Sequence, residues 1–127
     1  NMILKNNQVM GILDWELSTL GHPIADFSYH CLSWRTQEAF WDQAKLKELG
    51  VPSEKEYMDM YCENTGKDLS KNWEFYMAFN MFKIAGILQG ILGRVRDGTA
   101  ASKHAEDRGM MVYPLSEAAW NTIKENF

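Results

Sequence analysis

Two aspartates flank a turn in "GILDWELSTLGHPIADFSYHCL", residues 11–32. Asp14 closes an apolar run and is followed by Trp15 and Glu16, and Asp26 opens a second apolar stretch. A carboxylate at the end of a buried strand is costly unless something compensates it. A cation is one such compensation. Magnesium takes hard oxygen ligands and is usually held by one or two carboxylates together with substrate phosphates. Asp14 suits that role, and Asn1 offers an amide oxygen. If residues 2–5 pair with 9–13, positions 1 and 14 arrive at the same end of a hairpin. Plainer roles stay open for each residue. Asp14 could cap the following turn, Asn1 could fray as a terminal residue, and Asp26 could cap a helix. Glu16 is either a further acid near the metal, acting through water, or a solvated side chain.

The elements that must position these residues can be read from the pattern. "MILK" at 2–5 and "VMGIL" at 9–13 flank the polar "NNQ" and read as a β-hairpin. "GHP" at 21–23 breaks the chain. Ile24, Phe27, Tyr29 or His30, Cys31 and Trp34 then recur at helical spacing. Thr36 is placed to cap a helix running to about Leu49 and closed by Gly50. In "VPSEKE" Ser53 and Glu56 have the spacing of a capping box, with Tyr57, Met58, Tyr61 and Cys62 facing inward as far as Gly66. Asn72 is expected to cap a long helix that is apolar around most of its circumference, hence central and largely buried. Gly86, Gly90 and Gly93, three or four apart, would let a neighbouring helix come close. The polar stretch 96–109 reads as a mobile loop or helix junction. A last helix begins or kinks at Pro114 and turns Trp120 and Ile123 inward. The expected class is α+β, mostly α: a short hairpin followed by about five helices.

Bulk composition narrows the function classes. The chain has 127 residues, 46% hydrophobic and 24% charged, which suits one globular domain or part of one. The net charge of -4 disfavours a nucleic-acid partner held by bulk electrostatics. No uninterrupted apolar run reaches the ~18 residues of a membrane span, and no secretory signal precedes the first strand. Cys31 and Cys62 form no CxxC pattern and read as reduced, buried thiols of a cytoplasmic protein. His22, His30 and His104 have no metal-ligand spacing with one another or with the cysteines.

Asn1, then "GILDWE" at 11–16 and "GHPIADFSY" at 21–29, resembles the aminoglycoside phosphotransferase and choline kinase-like superfamily, relatives of the protein kinases. Within it the string resembles the phosphotransferase domains linked to acyl-CoA dehydrogenases. "NWEFYMAF" from 72 and "GILQG" from 86 resemble the same subgroup.

The resemblance implies transfer of the γ-phosphate of ATP (or GTP) to a small-molecule hydroxyl with Mg2+. It gives Asn1 and Asp14 as magnesium ligands, Asp14 in the position of the kinase "DFG" aspartate. It gives Asp26 as a buried aspartate that braces the catalytic loop. The family's catalytic aspartate, in a His-Gly-Asp element, falls before residue 1, so no catalytic residue is assigned within this chain. The glycine-rich loop and phosphate-binding lysine of the N-lobe are likewise not matched. Residues 1–127 are therefore expected to be the C-lobe part of a phosphotransferase, inactive alone. Asn1 is either native or left from a tag. Trp34, Trp41, Tyr57 and Tyr61 could line the acceptor site or serve as core. The competing expectation is a non-catalytic helical interaction or dimerisation domain. Exposed apolar surface makes a homo-oligomer an expectation under both.

Overall fold

The computed structural model describes residues 1–16, 18–36, 43–69 and 71–127. Two strands, β1 (Met2–Lys5) and β2 (Gln8–Ile12), pair antiparallel. The two residues between them, Asn6 and Asn7, both take left-handed backbone, at φ 50° and 59°. A two-residue type I′ turn requires this, because only its twist matches that of the flanking strands, and asparagine tolerates it better than most L-residues. The register pairs Met2 with Ile12 and Lys5 with Gln8, with a bulge between Ile3 and Leu4. The predicted hairpin is thus present, with its first and fourteenth residues at one end.

Six helices follow among the described residues: α1 (Pro23–Arg35), α2 (Gln43–Glu48), α3 (Glu54–Thr65), α4 (Trp73–Arg96), α5 (Ala105–Met110) and α6 (Val112–Asn126). Pro23 opens α1, where its missing N–H is not needed. The cap is His22, whose Nδ1 accepts from the Ile24 N–H at 3.3 Å, so Asp26 is not the N-cap. Thr36 does not start the next helix. Its N–H and hydroxyl both bond the Leu32 carbonyl, at 2.9 and 2.8 Å, and end α1. The first part of the helix expected from Thr36, residues 37–42, lies outside the described residues. Its end is as expected, at left-handed Gly50. The capping box of α3 is complete: the Ser53 hydroxyl accepts from the Glu56 N–H, and the Glu56 carboxylate accepts from the Ser53 N–H. Left-handed Gly66 closes the helix. Asn72 does precede α4, but its side chain makes no capping bond.

Helix α4 is the centre. It packs against α1 on one side and against α5 and α6 on the other. Cys31 and Leu32 of α1, Met77, Met81 and Ala85 of α4, and Val112, Leu115 and Ala119 of α6 meet in the core together with buried Leu69. Inside this core the Asn80 amide donates to the Ala25 carbonyl and to the Ser28 hydroxyl, both at 2.8 Å. A buried amide needs such partners, and here they bind α4 to the first turns of α1. Arg35 forms a second tie. Its guanidinium donates to Glu54 at 2.7 Å and to Glu74 at 2.9 Å, joining the end of α1 to the starts of α3 and α4. Between α1 and α3, Phe27 stacks on Tyr61 at 3.9 Å, and Trp34 lies against Tyr57.

Several expectations are corrected. Helix α4 is central, but not covered all round: Phe75, Phe79, Phe82 and Ile87 are exposed. By length and composition alone it could cross a membrane; here its buried face carries the core. Gly86 and Gly93 have no heavy atom within 4 Å of an added Cβ, so among the described residues no helix uses that opening. The close approach occurs at Gly109 of α5, where a Cβ would lie 2.6 Å from Leu92. Trp120 is exposed, whereas Ala119 takes the inner face of α6. Pro114 sits in the first turn of α6 and marks its start. The stretch 96–109 is a junction holding a turn at Gly98 and most of α5. Tyr29 and His30 are exposed, while Ser28 is fully buried. Cys31 is buried as expected, but Cys62 only partly.

Candidate active site

The end of the hairpin joins the two residues that the sequence singled out first. The Asn1 side-chain amide donates to the Asp14 carboxylate at 2.7 Å. Backbone pairing sets this up, since the Leu13 N–H donates to the Asn1 carbonyl at 2.9 Å and so extends the strand ladder to the ends of both strands. Asp14 then leaves the strand direction with left-handed backbone, φ 69°. Such a conformation is uncommon outside glycine and concentrates at functional positions. Aspartate is among the few L-residues that take it readily. Directly after it the Trp15 indole N–H donates back to the Ile12 carbonyl at 2.6 Å, folding the chain onto the strand it has just left.

Both Asn1 and Asp14 face solvent. Asp14 therefore does not meet the premise of a buried carboxylate: its charge is hydrated, and a ligand can reach it. The pair presents hard oxygen donors, the carboxylate and, with the amide turned, the Asn1 carbonyl oxygen. That set fits magnesium with the rest of its octahedron left to water and phosphate. Among the described residues no three His, Cys, Asp or Glu side chains converge to make a self-sufficient metal cage. Glu16 is exposed, and no side-chain bond joins it to Asn1 or Asp14.

Asp26 sits apart from the pair, in the first turn of α1. It is exposed, not buried as expected. It lines an open groove of about 680 Å³, together with Asn1, Met2 and Ile12 of the hairpin and Tyr29 and Ser33 of α1. The structure thus places Asn1 and Asp26 on one groove and joins Asn1 to Asp14 by a hydrogen bond. Tyr29 and His30 also line this groove. The sequence pattern places Tyr29 or His30 on the inner side of α1, since adjacent residues fit either side of a short amphipathic pattern; the structure exposes both.

Of the residues suggested for an acceptor site, Trp34, Tyr57 and Tyr61 are half-buried between α1 and α3. The Trp34 indole donates to the Pro52 carbonyl at 3.0 Å, and none of the three lines the groove beside Asn1. Tyr57 and Tyr61 pack against the core, and Trp34 also lines a second pocket with Val51 and Pro52. Trp41 lies outside the described residues. His22 stacks on Tyr76 at 5.2 Å and has a structural role as cap and packing partner.

Comparison with known proteins places the same stretch of sequence in a family match. A family model described as "Phosphotransferase enzyme family" matches residues 1–61, which span the hairpin, Asp14, Asp26 and α1. Acyl-CoA dehydrogenase family member 10 of Mus musculus is 41% identical over 126 residues, covering 94% of this chain and 12% of that protein. Acyl-CoA dehydrogenase family member 11 of Homo sapiens is 35% identical over 127 residues, covering 97% of this chain and 16% of that protein. The corresponding protein of Gallus gallus is 37% identical over 123 residues, covering 87% of this chain and 15% of that protein. The chain therefore spans less than a fifth of the length of these relatives. No solved structure matches it significantly. Residues 1–61 are similar to the phosphotransferase enzyme family, and the N-terminal hairpin followed by helices is the mostly helical arrangement that its kinase-like fold implies.

Proposed function

We propose that this chain is the C-lobe part of a cytoplasmic small-molecule phosphotransferase in which Asn1 and Asp14 hold magnesium against the phosphates of ATP or GTP. The observation that carries the reading is the 2.7 Å contact between Asn1 and Asp14 at the open end of the hairpin, within the segment matched to the family. When bound, the metal would neutralise charge on the phosphate oxygens. The chain's own residues do the positioning. The strand ladder holds the Asn1 backbone, the left-handed turn at Asp14 sets its carboxylate against the Asn1 amide, and the Trp15 indole ties the next residue back to Ile12. Glu16 lies close enough in sequence to reach such a metal through water. Asp26 faces the groove shared with Asn1, where its carboxylate could accept backbone N–H groups of a catalytic loop laid between hairpin and α1.

In this reading the catalytic base comes from residues preceding Asn1 in the full-length protein, and the isolated chain binds nucleotide without turning it over. The acceptor is a small-molecule hydroxyl. The names of the relatives lean towards a hydroxylated acyl compound, and aminoglycoside, choline, homoserine and sugar hydroxyls are the other classes to assay. Acidic net charge supports such an acceptor over a nucleic acid.

Calorimetric titration of the chain with Mg2+·ATP tests this. Asp14→Asn keeps size and tolerance of left-handed backbone but removes the charge, and should weaken binding about tenfold or more, about 1.4 kcal/mol. Equal affinity in the two proteins would end the metal reading. Sustained acceptor phosphorylation by the isolated chain would end the C-lobe reading. A second reading, a non-catalytic interaction domain, draws on the exposed phenylalanines of α4. It expects affinity for a protein partner that Asp14→Asn leaves unchanged.

A further inference from the structure

Helix α1 begins on a cap of uncommon chemistry. Serine, threonine, aspartate and asparagine are the residues that ordinarily hold a helix N-terminus, and near neutral pH their side-chain oxygens accept without condition. Here the position belongs to His22, with extended backbone at φ -78°, ψ 120°. Its Nδ1 accepts the Ile24 N–H at 3.3 Å. A ring nitrogen accepts only while it carries no proton. The cap therefore exists in one form of the side chain, the neutral imidazole with its hydrogen on Nε2. The residue is exposed, so protons from solvent reach it.

The same ring has a second contact that obeys a different rule. It stacks on Tyr76 of α4, 5.2 Å between centres and 15° between planes. An aromatic face attracts an imidazolium as well as it packs against an imidazole. Protonation thus removes the cap, keeps the stack, and places a cation at the positive end of the helix. Tyr76 is the titratable group that faces the ring from α4. On α1 itself the carboxylate at hand is Asp26, one turn on from the cap, a spacing at which opposite charges attract. Other ionic groups on the helices around α1 have partners of their own. Glu54 and Glu74 are held by Arg35, Lys55 by Asp59, and Glu56 by Ser53, while Lys83 lies over the Tyr29 ring.

We propose that His22 is a proton-operated cap that positions Asp26. Unprotonated, it holds the first turn of α1 and leaves the Asp26 carboxylate to the groove shared with Asn1. Protonated, it releases that turn and draws the carboxylate towards the imidazolium. Histidine is the side chain whose charge changes between about pH 5 and 8, so the exchange falls in a range that cells reach. The cap and the stack stand apart from the phosphotransferase reading. Only the consequence for that site, withdrawal of Asp26 in acid, rests on it.

An NMR titration of this chain from about pH 8 to 5, without nucleotide, tests the device. At the upper end the His22 ring nitrogens should show the Nε2–H tautomer. On acidification the protection factor of the Ile24 amide should fall roughly fivefold, as loss of an N-cap implies, and the Asp26 carboxyl carbon should shift with the same midpoint. His22→Asn caps through an oxygen and should hold both signals steady across the range. His30 lines the same groove and is a histidine too, so His30→Gln should leave both changes in place. The opposite tautomer, Ile24 protection indifferent to acid, or unaltered transitions in His22→Asn would each overturn the proposal. Loss of the transitions in His30→Gln alone would overturn it in favour of His30.

Discussion

Asn1 and Asp14, thirteen residues apart, are brought within 2.7 Å by a turn that depends on Asn6 and Asn7 both adopting left-handed backbone. The candidate metal pair is thus controlled from the opposite end of a short hairpin. Replacing Asn7 by glycine completes the preferred Asn-Gly pair of a type I′ turn, and should stabilise the hairpin by about 0.5–1 kcal/mol. Asn7→Val should cost about 1–2 kcal/mol locally, since β-branched residues resist this conformation. Hydrogen exchange of the Leu13 amide, bonded to Asn1, reports both effects. Mg2+·ATP affinity should follow the same order. Unchanged protection in Asn7→Val would mean that the turn does not govern the pair.

Asn80 tests whether the core is held by a polar lock. Asn80→Ala removes its two hydrogen bonds and leaves a cavity, for an expected loss of about 2–4 kcal/mol. Asn80→Asp, which turns a carboxylate oxygen towards the Ala25 carbonyl, should be at least as damaging. Urea denaturation measures both. A loss below 1 kcal/mol in both variants would show that packing alone joins α1 to α4.

The two glycine environments give opposite expectations for the same substitution. Gly109→Ala drives a Cβ into Leu92, and overpacking of this kind costs about 1–3 kcal/mol. Gly86→Ala meets open space and should stabilise the dilute chain by up to about 1 kcal/mol through helix propensity. Thermal melts at low concentration separate the two, and a gain at both positions would contradict the α5–α4 packing described here.

Cys31 provides the pH dependence. Burial, and then the nearby Glu54 carboxylate, push its thiol up from 9.0 to about 12, against a smaller opposing effect of Arg35. The folded state therefore keeps this proton when the unfolded chain has lost it. The associated stability is fully present below pH 9 and is lost as pH rises towards 12. Cys31→Ala should flatten the stability-versus-pH curve in that window, at the cost of a small cavity. At neutral pH a thiol reagent should modify half-buried Cys62 first and reach buried Cys31 only on unfolding. Equal labelling rates in the native protein would contradict the buried position.

Much of this architecture was legible because it is local. The "SEKE" capping box and the glycines closing α2 and α3 act within four or five residues, and their geometry follows from residue type. Two short apolar strands around a polar turn are enough to place positions 1 and 14 at one end. The resemblance around "GILDWE" and "GHPIADFSY" lies on the same stretch that the phosphotransferase family model matches. Other features depend on partners distant in sequence. Asn80 is an unremarked polar residue in an apolar helix until Ala25 and Ser28, more than fifty residues away, are folded against it. Arg35 finds Glu54 and Glu74 only through the packing of three helices.

By itself, then, the sequence determined where the chain turns, where most helices stop, and which amide and carboxylate share an end of the sheet, because backbone sterics and short-range hydrogen bonds decide those matters. The tertiary structure alone decided which side of α4 is covered, that Trp120 and Asp26 face outward, and that Gly109, rather than Gly86 or Gly90, takes the tight contact. A helix apolar on nearly every side offers several faces to a core. Only the simultaneous packing of α1, α5 and α6 selects which of them loses contact with water.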